Sequence, residues 1–374
     1  MKNYVFAETF APPTSTITNL SNSLIAHFGV KPFHETIPEI DALLESKKKV
    51  AVFLFDGMGE YVLCHHQKAG RLFLDNGYLV IDSTNPATTV AATTSMLTAK
   101  SPIETGWLGW ALPVLGIDDP IEVFPSTSFL TGEKKGERLM DKACPVTYID
   151  ELINAAGHKA KLLYQYGVGG HFDGPNDYLD AVPMATKYFQ EDGGEFLYVY
   201  FNTPDGLIHR HGVDAQIVDD RIALASKTIE AFVAANPDVL TLVMADHGLM
   251  DVRYFDLIDY PEIKECLRAP ISLEARTVNF YVKKEKEEEF LSLMASKFPQ
   301  FSIISHEIAL SSGYFGPGVP HEKASSFLGD YIAISQDNSC ILDTSCITTQ
   351  YFMSAHHAGP LPQEKRILIA AFNK

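Results

Sequence analysis

Six short runs of apolar and β-branched residues recur along the chain, each closed by turn residues: Lys49–Phe55, Tyr78–Asp82, Lys159–Tyr164, Phe196–Asn202, Val239–Ala245 and Arg366–Phe372. Unbroken apolar runs of this length predict strands buried on both faces. Between them, Thr147–Ala156 and Ala215–Ala235 place apolar residues at helical spacing. Strands alternating with helices predict an α/β fold, with a mainly parallel central sheet covered by helices on both faces. Functional residues in such sheets gather beyond the carboxyl ends of the strands.

The rhythm breaks between Asp251 and Leu328. That stretch holds a charged run (Lys283–Glu289), a helix-like segment (Glu287–Lys297) and a Gly/Pro-rich loop (Ser311–Pro320). We expect an inserted α+β cap subdomain over 251–328, with 1–250 and 329–374 forming the catalytic core. The charged run itself reads as a solvated helix face.

A length of 374 residues exceeds one ordinary hydrophobic core, which suits a large domain carrying an insert. No apolar run reaches the roughly 18–20 residues of a membrane span, and the N-terminal segment with Glu8 does not read as a signal peptide; no membrane association is expected. The five cysteines (Cys64, Cys144, Cys266, Cys340, Cys346) are odd in number, scattered and without a C-x-x-C pair. Reduced thiols and a cytoplasmic location are the simpler expectation. A net charge of −17 argues against a nucleic-acid polymer as partner. A small anionic substrate stays open if a metal site supplies local positive charge. Nothing in the sequence fixes the oligomeric state.

Five short segments carry candidate chemistry, and several directly follow a predicted strand. Val52-Phe-Leu-Phe-Asp56-Gly-Met-Gly59 ends an apolar run in a carboxylate and glycines, although Asp-Gly is also a common turn. Asn85-Pro-Ala-Thr88-Thr89 runs into a helix-like stretch, with Thr89 near the N-cap. Thr89 either caps that helix or places a hydroxyl where helix N–H groups hold a phosphate; the segment alone does not choose. Pro204-Asp205-Gly-Leu-Ile-His209-Arg-His211 offers Asp and His four residues apart, both good ligands for a borderline ion such as zinc, with His211 lining or orienting. Asp246-His247-Gly248 closes another apolar run. Ser354-Ala-His356-His357-Ala-Gly359 precedes the final one. Together they supply three carboxylates, at least three histidines and a hydroxyl, the inventory of a two-ion site that could activate threonine as a nucleophile.

In order and spacing these segments resemble the alkaline phosphatase superfamily, specifically its type I phosphodiesterase/nucleotide pyrophosphatase family. The similarity runs from about Lys49 to the C-terminus. It implies an alkaline phosphatase-like core and two divalent ions, zinc or alternatively manganese. One ion would be held by Asp205, His209 and His357, the other by Asp56, Asp246, His247 and the Thr89 oxygen. His357 is preferred to His356 because Ala358-Gly359 follows it, as small residues follow the late histidine of the family. The implied reaction is attack of Thr89 on a small phosphate ester to give phospho-threonine, then hydrolysis. One position departs from the pattern: many phosphodiesterases of this family carry Asn three residues after the nucleophile, and here that residue is Ala92. Phosphomonoesterase and phosphonate hydrolase activities are the rivals within the superfamily. A non-catalytic metal-binding relative would have lost a ligand or the nucleophile, and none of those expected is missing.

Overall fold

The computed structural model describes residues 15–165, 174–349 and 351–374. All six apolar runs are strands of one sheet: β1 (Val50–Phe55), β2 (Gly77–Asp82), β3 (Ala160–Tyr164), β4 (Phe196–Phe201), β5 (Leu240–Met244) and β6 (Arg366–Phe372), in the spatial order β2-β6-β5-β1-β4-β3. Strands β1, β4 and β5 are buried at every residue, so both faces of the central sheet are covered. Strands β3, β4, β1 and β5 pair in parallel, whereas β6 runs antiparallel to both neighbours. The parallel strands therefore end at one edge of the sheet, and β6 begins there.

Two of the predicted helices form close to their expected bounds, at Ile149–Ala155 and Gln216–Ala235, and Glu287–Lys297 forms as expected. A helix that hydrophobic pattern alone does not mark, α1 (Ile17–His27), precedes the sheet. Its buried side includes Thr18, Ser21, Asn22 and Ser23 as well as Leu20 and Leu24. These polar groups dock α1 onto the helix α2 (Thr89–Thr98): Ser21 Oγ donates to the Met96 carbonyl at 2.6 Å and Asn22 Nδ2 to the Ala99 carbonyl at 2.8 Å. The C-terminal end of α2, whose cap Ala99 has φ +56°, is thereby held.

A second, seven-stranded antiparallel sheet lies alongside, and it is not confined to the expected 251–328 insert. Only Ser272–Leu273, Thr277–Phe280 and Phe301–Ser305 come from that stretch. Tyr331–Ser335 follows it, and Ala111–Leu112, Ile121–Glu122 and Thr127–Ser128 come from far upstream. Two-residue strands leave no readable period in a sequence, which is why those in 107–128 escape a pattern reading.

A buried clasp joins the two sheets. Arg276, from the loop between two strands of the second sheet, makes two hydrogen bonds to Glu364, Nε to Oε1 at 2.6 Å and Nη2 to Oε2 at 2.8 Å. Neither side chain is exposed. Glu364 also accepts the Gly359 N–H at 2.7 Å, while its backbone carbonyl accepts the Gly248 N–H. Removing one partner of a buried pair strands the other charge, at a cost of about 3–5 kcal/mol. Arg276→Ala is accordingly expected to lower the urea midpoint by that amount of stability. A change within experimental error would show that the clasp holds nothing.

Candidate active site

The five segments converge at the edge of the main sheet where the parallel strands end. Asp56 follows β1, and its backbone carbonyl accepts the Asp205 N–H at 3.0 Å, placing the start of helix α3 (Asp205–His211) beside it. Gly57 turns the chain after Asp56 with φ +74°; a Cβ there would stand 2.9 Å from the Asp205 backbone. Gly59 and Gly248 cross so closely that a Cβ on Gly59 would lie 2.6 Å from the Gly248 Cα. Asp246 and His247 follow β5. Thr88 is the extended N-cap of α2, so Thr89 sits one residue further in, as the first helical residue. The segment leading into β6 brings His357, whose neighbour Ala358 donates its N–H to the Ala87 carbonyl.

Each histidine is oriented in the same way. His209 Nδ1 bonds the Ala355 carbonyl at 2.8 Å, His247 Nδ1 the Gly248 carbonyl at 3.1 Å, and His357 Nδ1 the Ala87 carbonyl at 3.0 Å. A carbonyl only accepts, so Nδ1 carries a hydrogen and Nε2 is the ring nitrogen left to face the site. Those Nε2 atoms face carboxylates: His209 and His357 lie 3.3 and 3.8 Å from Asp205 Oδ1, and His247 lies 3.5 Å from both Asp56 Oδ1 and Asp246 Oδ2. The His247 and His357 rings stack at 4.0 Å. Two groups have donor atoms mutually within 4.8 Å, Asp56–Asp246–His247 and Asp205–His247–His357, and His209 adjoins the second through Asp205. Asp205 Oδ1 and Asp246 Oδ2 are buried with no hydrogen-bond partner. Buried carboxylate oxygens facing imidazole Nε2 atoms are the donor set of a divalent cation, and these residues fit one on chemical grounds.

Thr89 is almost fully buried, and its Oγ1 lies 3.1 Å from His247 Nε2 and 3.4 Å from each oxygen of Asp56. The hydroxyl thus sits against the Asp56–His247 side of the cluster, at the positive end of α2. Tyr200, from β4, donates its hydroxyl to Asp56 Oδ2.

The electrostatics show what the cluster lacks. Burial, then Asp246 and Asp205, push the Asp56 carboxyl well above its usual range, and burial also raises Asp246. For Asp205, burial acts upward but is outweighed by His209 and the other histidines, so it stays low, and burial of His209 is likewise outweighed by Asp205. Burial and the neighbouring imidazoles drive His357 far down and His356 to about 3. The imidazole of His357 is neutral, His209 beside Asp205 is the imidazole that favours a proton, and no lysine or arginine among the described residues pairs with the acids.

Of the residues singled out from sequence, Asp56, Thr89, Asp205, His209, Asp246, His247 and His357 come together. His356 Nδ1 accepts the His357 N–H, with its ring 5.0 Å from that of His209, and His211 is exposed at the end of α3. Ala92 is buried among the apolar side chains of the main core. Sequence reasoning passed over Tyr200 and Glu274. Tyr200 stands in a strand where alternation with Phe201 gave no hint of a polar role. Glu274 comes from the second sheet, where its Oε1 accepts from Thr88 Oγ1 at 2.6 Å and from the Trp110 N–H at 2.8 Å.

The sequence profile of the family described as type I phosphodiesterase / nucleotide pyrophosphatase matches residues 50–359. No curated protein matches by sequence. Among solved structures, murine ectonucleotide pyrophosphatase/phosphodiesterase 5, as an inactive threonine-to-alanine variant in complex with AMP, superposes with a TM-score of 0.64 at 18% identity, over 87% of this chain and 88% of that one. The human form of that protein gives 0.62 at 16% identity, over 87% of each chain. Phosphonoacetate hydrolase from Sinorhizobium meliloti 1021, with phosphonoformate, gives 0.65 at 13% identity, over 87% of this chain and 90% of that one.

Burial raises the Glu274 carboxyl from 4.5 to about 7, against the opposing hydrogen bonds from Thr88 and Trp110. A carboxyl raised by folding binds its proton more tightly in the folded state. It therefore destabilises the fold increasingly as pH rises from 4.5 through about 7, by up to about 3 kcal/mol above that. In metal-free protein, Glu274→Gln is expected to raise Tm at about pH 8 and to leave it nearly unchanged at about pH 5. Equal shifts at both pH values would contradict the buried, raised carboxyl.

Proposed function

The chain belongs to the type I phosphodiesterase / nucleotide pyrophosphatase family, hydrolases of the alkaline phosphatase superfamily, and from that premise we propose a two-metal phosphoric-ester hydrolase working through phospho-Thr89. The observation that carries this reading is the position of Thr89 Oγ1, at a helix N-terminus and within 3.4 Å of Asp56 and His247. Asp205, His209 and His357 would hold one ion; Asp56, Asp246, His247 and the Thr89 oxygen would hold the other. When bound, the two ions supply the positive charge that stabilises a threonine alkoxide and a departing oxygen at neutral pH. Imidazole nitrogens in both sets favour zinc over harder ions, with manganese the alternative.

The chain's own groups then have defined tasks. The first turn of α2 directs its N–H dipoles at the phosphoryl group as Thr89 Oγ1 bonds to phosphorus and the ester oxygen leaves with a proton. Water cleaves the phospho-threonine in a second displacement and restores the hydroxyl. Tyr200 holds Asp56 Oδ2, which keeps that carboxylate aimed at Thr89. The relative bound to AMP, inactive after a threonine-to-alanine change, supports both the substrate type and the nucleophile.

Thr89→Ala is expected to cut turnover of bis-p-nitrophenyl phosphate by at least about a thousandfold without loss of folding. Wild-type turnover in that variant would remove Thr89 from the reaction. Chelation should abolish activity and zinc or manganese restore it, with elemental analysis of the native protein distinguishing the two. His357→Ala should lower both metal content and activity far more than His356→Ala, and the reverse order would exchange the two histidines.

A further inference from the structure

We infer that Glu274 is a specificity-determining residue that sets the charge class of the substrate, favouring monoanionic phosphodiesters over dianionic phosphomonoesters and over phosphonates that bear their own carboxylate. This rests on Thr89 being the nucleophile. The residue lies outside the metal-type cluster and comes from the second sheet. Its Oε1 is fixed by two donors, the hydroxyl of Thr88, directly beside Thr89, and the Trp110 N–H. Its Oε2 has no hydrogen-bond partner among the described residues, the residue is 8% exposed, and it is close enough to Asp205 and His209 to feel their charges. The backbone that delivers it is strained: Leu273 has φ +78°, a conformation that a γ-branched side chain adopts only at a cost of order 1 kcal/mol. Gly109 gives it room, since a Cβ there would come within 3.3 Å of Oε1.

Among the described residues no lysine or arginine pairs with this carboxylate. The nearest in sequence, Arg276, is committed to Glu364 in the buried clasp. Among the described residues no ion pair includes Glu274. A carboxylate without a paired lysine or arginine in a water-poor site acts on a second substrate charge with little screening. A diester brings one negative charge to the phosphorus, a monoester near neutral pH brings two, and a carboxylated phosphonate adds its own. Each further charge meets Glu274. With its fixed oxygen kept in place by Thr88, the side chain cannot simply swing away.

Glu274→Gln separates charge from scaffolding, because the amide oxygen still accepts from Thr88 and Trp110. The test compares kcat/KM for bis-p-nitrophenyl phosphate with that for p-nitrophenyl phosphate, well above the pH at which the carboxyl loses its proton. The diester-to-monoester ratio should fall at least about tenfold in Glu274→Gln, as expected of one charge at an effective dielectric near 20. In parallel, calorimetry on the Thr89→Ala background should show p-nitrophenyl phosphate binding more tightly once Glu274→Gln is added. An unchanged ratio together with unchanged binding would overturn the inference and leave a purely structural anchor. The ratio does not depend on how much protein is folded, so it reads the charge even where the glutamine variant is partly unfolded. Failure of the nucleophile reading is visible separately, as turnover that survives Thr89→Ala.

Discussion

Four carboxylates share a small, nearly dry volume at the edge of the main sheet, and no lysine or arginine among the described residues pairs with any of them. Asp56, Asp246, Asp205 and Glu274 would each be costly to bury alone, and together they repel one another. The protein does not relieve this with side-chain cations. It surrounds the acids with imidazoles whose Nδ1 atoms are tied to backbone carbonyls, and among the described residues Asp205 Oδ1 and Asp246 Oδ2 have no hydrogen-bond partner. Such a cluster is tolerable only when it takes up protons or cations. The remaining features of the site follow from that constraint: the tyrosine hydroxyl on Asp56, the glycine crossings that let the loops approach, and a threonine hydroxyl placed against the acids.

The sheet topology makes the gathering possible. Parallel strands bring Asp56, Asp205 and Asp246 to one edge because each lies just past a carboxyl end. His357 reaches the same edge by the opposite rule, since the strand it precedes runs antiparallel. Arg276 and Glu364 then lock the second sheet to this edge, with Gly359 and Gly248 drawn into the same clasp. The loop that bears Glu274 and the loop that bears His357 are therefore positioned by one shared ion pair.

Much of this was legible in the residue pattern. Buried parallel strands are long apolar runs, and an Asp at the end of such a run has few structural excuses. The order of the five segments pointed to the residues that meet at the sheet edge, His357 among them. What stayed hidden was hidden for physical reasons. Helix α1 buries serine, threonine and asparagine against α2, so its inward face looks polar. The strands at 111–128 are too short to show a period. Glu274 is a lone acid in a hairpin far from the other site residues in sequence, and only tertiary contact with Thr88 gives it meaning.

The last strand also orders events in time. β6 is not added at an edge but inserted between β2 and β5; all seven strands of the second sheet separate it in sequence from β2, and four of them separate it from β5. Until that insertion the main sheet is split, β2 lies detached from β5, and His357 has no Ala87 carbonyl to orient it. The gathering of Thr89, the acids and His357 at the sheet edge is thus complete only with the most non-local strand pairing of the fold, that of β6 with β2.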